Sequence, residues 1–185
     1  MKHIFAVFML GIFLGTSLPG AALAQDAGGK LKIAVINVEA ILRNATAVKN
    51  IREQIGKYRK TFQEEIQKEE EALRNANQEL ARQRTLLSSE AFTGKRRDFE
   101  QQVSQVQKMV QERKLNLDKA QGEAMGKVQD SLNKIITKLS EEQGISLILR
   151  RDQTVLAVKS LEITDVILKQ LNMVLPKVKV ADLGK

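Results

Sequence analysis

The chain has 185 residues, a formal net charge of +8 and no cysteine. Without cysteine it can form neither disulfides nor thiolate nucleophiles nor cysteine-ligated zinc sites. Aromatic residues make up 4% of the sequence and tryptophan is absent, which leaves little material for one thick globular core. An elongated or oligomeric molecule is therefore expected.

The first 24 residues are typical of a secretory signal peptide. Lys2 precedes an apolar run over 4–18, and a Pro-Gly pair and the sequence Ala-Leu-Ala follow before Gln25. The run is shorter than the roughly twenty residues that span a membrane, and a cleavage motif follows it. We expect cleavage between Ala24 and Gln25, which leaves a mature chain of 161 residues with a net charge of +7.

Removal of this segment also removes His3, the one histidine of the sequence. The mature chain then lacks the commonest general base near neutral pH and a common metal ligand. No G-x-x-x-x-G-K-[ST] phosphate loop is present either. We therefore expect no enzymatic activity, no cofactor and no metal site.

Two long helices occupy the middle of the mature chain, after a short strand over 32–37 and a helical turn over 38–42. From residue 47 to about 86, apolar residues recur at intervals of three, four or seven, which predicts a helix on the order of 60 Å long. The polar residues Glu69 and Gln83 on this seam indicate loose packing. A second helix is predicted over 95–143, after an interruption by serine, threonine and glycine. The two helices should fold back on each other as an antiparallel hairpin, because each apolar stripe then covers the other.

Short elements follow the second helix. Gly144 should end that helix, and strands are predicted over 145–149 and 155–158. Thr164 is a good N-cap for a last helix that ends near Leu171. Residues 173–185 have no predicted partner and are expected to form a flexible C-terminal tail.

The strands predict a small β-rich body, formed by 25–46 and 144–172, from which the arm over 47–143 projects. Three short strands and one short helix cannot bury enough surface to hold such an arm as a monomer. The fold class is thus mainly α with a small β body, in a homo-oligomer. The residues expected in the oligomer core are Ile33, Val35, Leu147, Leu149, Val155 and Ala157.

In its layout and in three segments the sequence resembles the Skp/OmpH family of periplasmic chaperones. The segments are KIAVIN at 32–37, ISLIL at 145–149 and ITDVILKQL at 163–171. The resemblance implies a jellyfish-like trimer whose three coiled-coil arms enclose a cavity for unfolded outer-membrane β-barrel proteins. It also implies an ATP-independent holdase located in the periplasm, with contact to lipopolysaccharide or an anionic membrane surface. It assigns no lipopolysaccharide-contact residue.

Two groups of arm residues are candidates for these contacts. The first would face an unfolded client, although the same residues could simply pack the two helices together; it comprises Phe62, Ile66, Phe99, Val103, Val106 and Met109. The second would form a basic tip that attracts anions, with a local charge of +4 once Glu90 is included. It comprises Arg82, Arg84, Lys95, Arg96 and Arg97.

Two other functions fit parts of this pattern. A structural coiled-coil spacer or adaptor of the cell envelope would also need long arms, but it would have a fixed partner and little use for strands from both chain ends. A basic protein with a pI of about 9.7 could instead bind nucleic acid. Export argues against a specific nucleic-acid partner.

Overall fold

The structure, a computed structural model, describes residues 31–183. The predicted signal peptide over 1–24 and its cleavage site at Ala24 and Gln25 lie outside the described residues. Two single 3₁₀ turns, over Arg151–Gln153 and Lys159–Leu161, precede the last helix. The helices and strands, in chain order, are β1 (Ile33–Ile36), α1 (Val38–Asn44), α2 (Thr46–Gln83), α3 (Ser89–Gln143), β2 (Leu147–Arg150) and α4 (Thr164–Val174).

Strands β1 and β2 pair in parallel, and the helices α1, α2 and α3 form the connection between them. Ile33 lies opposite Leu147 and Val35 lies opposite Leu149. Because parallel strands cannot be joined by a tight turn, a long crossover is required. The two-stranded sheet therefore ties the start of the described chain to the end of α3.

The predicted strand over 155–158 is wrong for the single chain. Residues in this segment form a loop between the two 3₁₀ turns, and Val155, Leu156 and Val158 are 103%, 83% and 60% exposed. A strand needs a neighbour for its backbone groups. In the described part of the chain, the one bridge to β1 outside the β1–β2 pair is made instead by Glu162, opposite Val35.

Helix α4 joins the end of β1 to the start of α2. The predicted N-cap residue, Thr164, lies within the first turn of α4, and its hydroxyl accepts a hydrogen bond from the Asn37 amide at 2.9 Å. Helix α2 has no capping side chain of its own, so the Asn172 side-chain oxygen accepts from the Thr46 amide at 2.9 Å. This contact satisfies one of the amides that a helix start leaves open.

The helix boundaries differ from the prediction near the turn between α2 and α3. Helix α3 begins at Ser89 rather than at residue 95, because the Ser88 hydroxyl accepts a hydrogen bond from the Ala91 amide. Gly94 therefore lies inside the helix, where a glycine costs only about 1 kcal/mol relative to alanine. At the other end, Gly144 adopts a φ of 63° and ends α3 as predicted.

The segment after α4 also differs from the flexible tail that the sequence predicts. Residues 175–183, which we call the strap, pack against α2 and α3. Val178 and Val180 are 4% and 1% exposed and belong to the same apolar core as Ile51 and Leu132. Their alternation with exposed lysines leaves one face of the segment apolar, and that face is buried.

The core lies where α1, α4 and the strap meet the ends of α2 and α3. Its most deeply buried large side chains are Ile41, Ile51, Leu132, Ile167, Leu171, Val35, Val48, Val128 and Val180.

Leu132 and Leu115 provide a matched test of this core within one helix. Leu132 is completely buried, whereas Leu115 is 67% exposed. We expect Leu132→Ala to lower the free energy of unfolding by about 3 kcal/mol, because it removes buried methyl groups and leaves a cavity. Leu115→Ala should change it by less than about 0.5 kcal/mol. Urea unfolding followed by circular dichroism measures both, and equal effects would contradict this location of the core.

Candidate functional site

The pair of long helices α2 and α3 provides the largest continuous surface of the described chain. With 38 and 55 residues, they are about 57 Å and 80 Å long. Residues late in α2 share clefts with residues early in α3: Leu73 with Val106, and Leu80 with Phe99. The helices thus run in opposite directions along a common seam.

Burial divides this seam into two parts. The buried residues of α2 end at Phe62, and those of α3 begin at Leu117. None of the residues between 63 and 116 is buried. We call residues 46–62 and 117–143 the root and residues 63–116 the distal arm. The root is packed like a protein interior, whereas the distal arm leaves its apolar seam half open.

The six predicted client-facing residues all lie on this seam, but not in one environment. Phe62 is only 6% exposed and belongs to the root core. Its ring lies against Arg113 of α3, and its role as a client contact stays a prediction. The other five are partly exposed along the distal arm: Ile66, Phe99, Val103, Val106 and Met109.

Arg113 lies at the boundary between the root and the distal arm and contacts both α2 and the strap. Its guanidinium lies 4.7 Å from the centre of the Phe62 ring, which permits a cation–π interaction. It also forms an ion pair with Glu65 at 3.1 Å and donates a hydrogen bond to the Leu183 carbonyl at 3.2 Å. One side chain of α3 thereby joins α2 and the strap. Sequence reasoning missed it, because one arginine among the 30 cations carries no separate signal.

Shallow clefts follow one another along the distal arm from this boundary. The first has a volume of about 480 Å³ and lies beside Phe62, Ile66, Val110 and Arg113. The second, of about 460 Å³, lies beside Glu69, Leu73, Val106 and Met109. Glu69 is one of the polar seam residues that predicted loose packing. An apolar floor with charged edges can contact many different chains weakly.

The predicted basic tip is exposed, but less strongly charged than expected. Arg82, Arg84, Lys95, Arg96 and Arg97 are all exposed. Asp98 and Glu100 belong to the same region, and Glu100 forms an ion pair with Arg96 at 3.5 Å. With Glu90, the local net charge is +2 rather than +4. Leu86 is 79% exposed between these cations, so the tip presents apolar as well as basic groups.

The predicted oligomer-core residues are only partly brought together. Ile33, Val35, Leu147 and Leu149 share one face of the β1–β2 pair, and on that face Leu147 and Leu149 are 43% and 38% exposed. Val155 and Ala157 lie outside this sheet, in the exposed loop. The body of the single chain therefore leaves two apolar surfaces uncovered.

Within residues 31–183, no cluster of three or more carboxylates could hold a metal ion. In the same part of the chain, no helix has the length and apolar character needed to cross a membrane.

Comparison with known proteins identifies the family. The family model described as outer membrane protein (OmpH-like) matches residues 32–171, which include the whole arm and most of the body. The chain belongs to the OmpH-like family. A search of curated proteins gives no match.

A solved structure supports the OmpH-like fold. The crystal structure of a "putative outer membrane chaperone (OmpH-like)" from Caulobacter crescentus CB15 superposes with a TM-score of 0.73 at 18% sequence identity. The alignment covers 94% of this chain and 95% of the other. At this identity the likeness concerns the fold.

The tip can be tested by neutralising three of its cations. We expect the variant Lys95→Gln, Arg96→Gln, Arg97→Gln to bind anionic lipid vesicles about a hundredfold more weakly at low salt, because each cation near the membrane surface contributes on the order of 1 kcal/mol. A matched control removes two arginines and one lysine from exposed root positions: Arg52→Gln, Arg59→Gln, Lys60→Gln. Vesicle co-sedimentation at two salt concentrations measures both. Equal losses would show that net charge acts without a specific tip.

Proposed function

We propose that the protein is an ATP-independent holdase chaperone of the periplasm, which binds unfolded outer-membrane β-barrel proteins along the distal arms and prevents their aggregation. The OmpH-like family supports a chaperone role. The observation that carries the proposal is the half-open apolar seam between residues 63 and 116. A helix pair that served only as a spacer would be expected to close this seam.

The form of the seam suits a client that must later be released. Its clefts are shallow, and each offers a few apolar side chains with charged neighbours. Individual contacts of this kind are weak, but an unfolded chain that touches several at once is retained by avidity. Each contact can still open separately. Such binding needs neither nucleotide nor catalysis.

We further propose that the body assembles into a homotrimer whose arms surround a common cavity. The exposed side chains Leu147 and Leu149 lie next to the loop with Val155, Leu156 and Val158 in sequence. Exposed apolar patches on a small body favour contacts between subunits. The loop has no strand partner in the described chain, so it is available to a second copy.

If the exposed face of the β1–β2 pair joins the subunits, two negative charges placed on it should separate them. We expect the mature protein to sediment as one species with three times the monomer mass, and the variant Leu147→Asp, Leu149→Asp to sediment as a monomer. A control with the same substitutions on the arm, Leu86→Asp and Leu115→Asp, should remain oligomeric, because both leucines are exposed there. Analytical ultracentrifugation measures all three. An oligomeric body variant with native circular dichroism would contradict the assignment.

The holdase proposal predicts suppression of aggregation without nucleotide. A urea-unfolded outer-membrane barrel is diluted into buffer with the mature protein, residues 25–185, and turbidity is recorded. We expect suppression to saturate near one oligomer per client. If aggregation proceeds unchanged while the protein is folded and oligomeric, the chaperone function fails, and a structural role of the arms becomes the better account.

A further inference from the structure

The strap is held against the root by hydrogen bonds to its backbone. The side-chain amide of Gln54 donates from Nε2 to the Val178 carbonyl at 2.8 Å and accepts at Oε1 from the Val180 amide at 3.1 Å. One glutamine of α2 thus replaces the partner strand that an extended segment would have in a sheet. Near the strap's end, Arg113 donates to the carbonyl of Leu183.

Buried and exposed side chains alternate along the strap. Val178 and Val180 are buried in the root, while the alternating Lys177 and Lys179 are exposed. This is the two-residue period of an extended chain with one apolar face. The contacts from Gln54 and Arg113 are made to backbone atoms, and the Tyr58 hydroxyl adds one side-chain contact, to Asp182 Oδ1 at 3.5 Å. At 178–180 the root groove therefore requires an extended shape and alternate apolar residues rather than a particular sequence.

The groove under the strap ends at the boundary between the root and the distal arm. Arg113, which binds the Leu183 carbonyl, also lines the first cleft of the distal arm with Phe62 and Leu117. The described strap ends beside Arg113, where its last residues line a separate cleft with Asn116 and Ala120 of α3. An extended chain lying in the distal seam could therefore continue into the root groove only if the strap left it.

We propose that the root groove is a binding surface for an extended segment with alternating apolar residues, and that the strap occupies it until such a segment displaces it. The partner class rests on the proposed function, since the strands of outer-membrane barrels alternate between apolar and polar residues in this way. The strap thus has the same alternation of apolar and polar residues as a strand of the client, and the client displaces it.

Tethering decides which ligands can displace the strap. A segment attached through a short linker competes at an effective concentration in the millimolar range. A single free peptide of modest affinity cannot overcome this, whereas a client held at several sites can. Occupation by the strap also lowers the apparent affinity for any competitor, in proportion to the fraction of time the groove is open.

The groove can be tested with a peptide that has the strap's own sequence, residues 176–185. The variant Val178→Asp, Val180→Asp should release the strap, because two carboxylates cannot remain buried there unpaired. We expect fluorescence anisotropy to show at least tenfold tighter binding of the peptide to this variant than to the wild type. A control strap variant with its exposed lysines changed, Lys177→Ala and Lys179→Ala, should behave like the wild type. A second peptide with the same composition but adjacent valines should bind poorly.

Two results would overturn the proposal in this experiment. One is no peptide binding to the released variant, once its circular dichroism is native and the amide at position 180 exchanges freely. The other is equal binding of the alternating and the rearranged peptide, which would show that the groove does not read the alternation.

Displacement by a client is tested on the unaltered mature protein. We expect the Val180 amide to exchange with deuterium at least tenfold faster when a saturating unfolded barrel is bound, while the amides of Ile167 and Leu171 in α4 keep their rates. If the barrel is held soluble and Val180 stays protected, the displacement is wrong and the holdase function stands. If the barrel is not held at all, the proposed function fails, and the peptide experiment still decides whether the groove exists.

Discussion

Packing of α2 on α3 at the root is the interaction on which the rest of the structure depends. The arm is a long insertion between two short parallel strands, and a pair of four-residue strands cannot hold it alone. The apolar ends of the two helices, together with α1, α4 and the strap, form the one continuous core of the described chain. Polar contacts fix the arrangement: Asn172 of α4 binds the start of α2, and Arg113 binds both α2 and the strap.

The contrast between root and distal arm connects this packing to function. The root has its own buried core, while the apolar seam of the distal arm remains half open between residues 63 and 116. An open seam would be a liability in an ordinary helix pair, since exposed apolar surface promotes association. In a holdase of the OmpH-like family, association with unfolded chains is the proposed activity. The strap covers the root groove, which lies beside the core.

Sequence periodicity predicted the elements whose signal is local. The two long helices, the strands β1 and β2, and the glycine stop at Gly144 all follow from spacing and turn chemistry. The strand over 155–158 was wrong because pairing depends on a neighbour, which the pattern of one segment cannot reveal. The strap was missed for a similar reason. Its alternating valines were visible, but the carboxamide that binds its backbone belongs to Gln54, more than a hundred residues earlier. Of the six predicted client-facing residues, five are partly exposed along the distal arm and Phe62 is buried in the root core, a difference that the spacing of apolar residues does not reveal.

We propose that clients contact the open seam of the distal arm and not the outer face of its helices. Photo-cross-linking from single positions tests it most directly. A benzophenone side chain at Met109, which lines the second cleft, is compared with one at Leu115, which is exposed and does not line that cleft. During capture of an unfolded barrel, we predict strong cross-links from position 109 and weak ones from position 115. Equal cross-linking from both positions, or cross-links from 115 alone, would contradict the account.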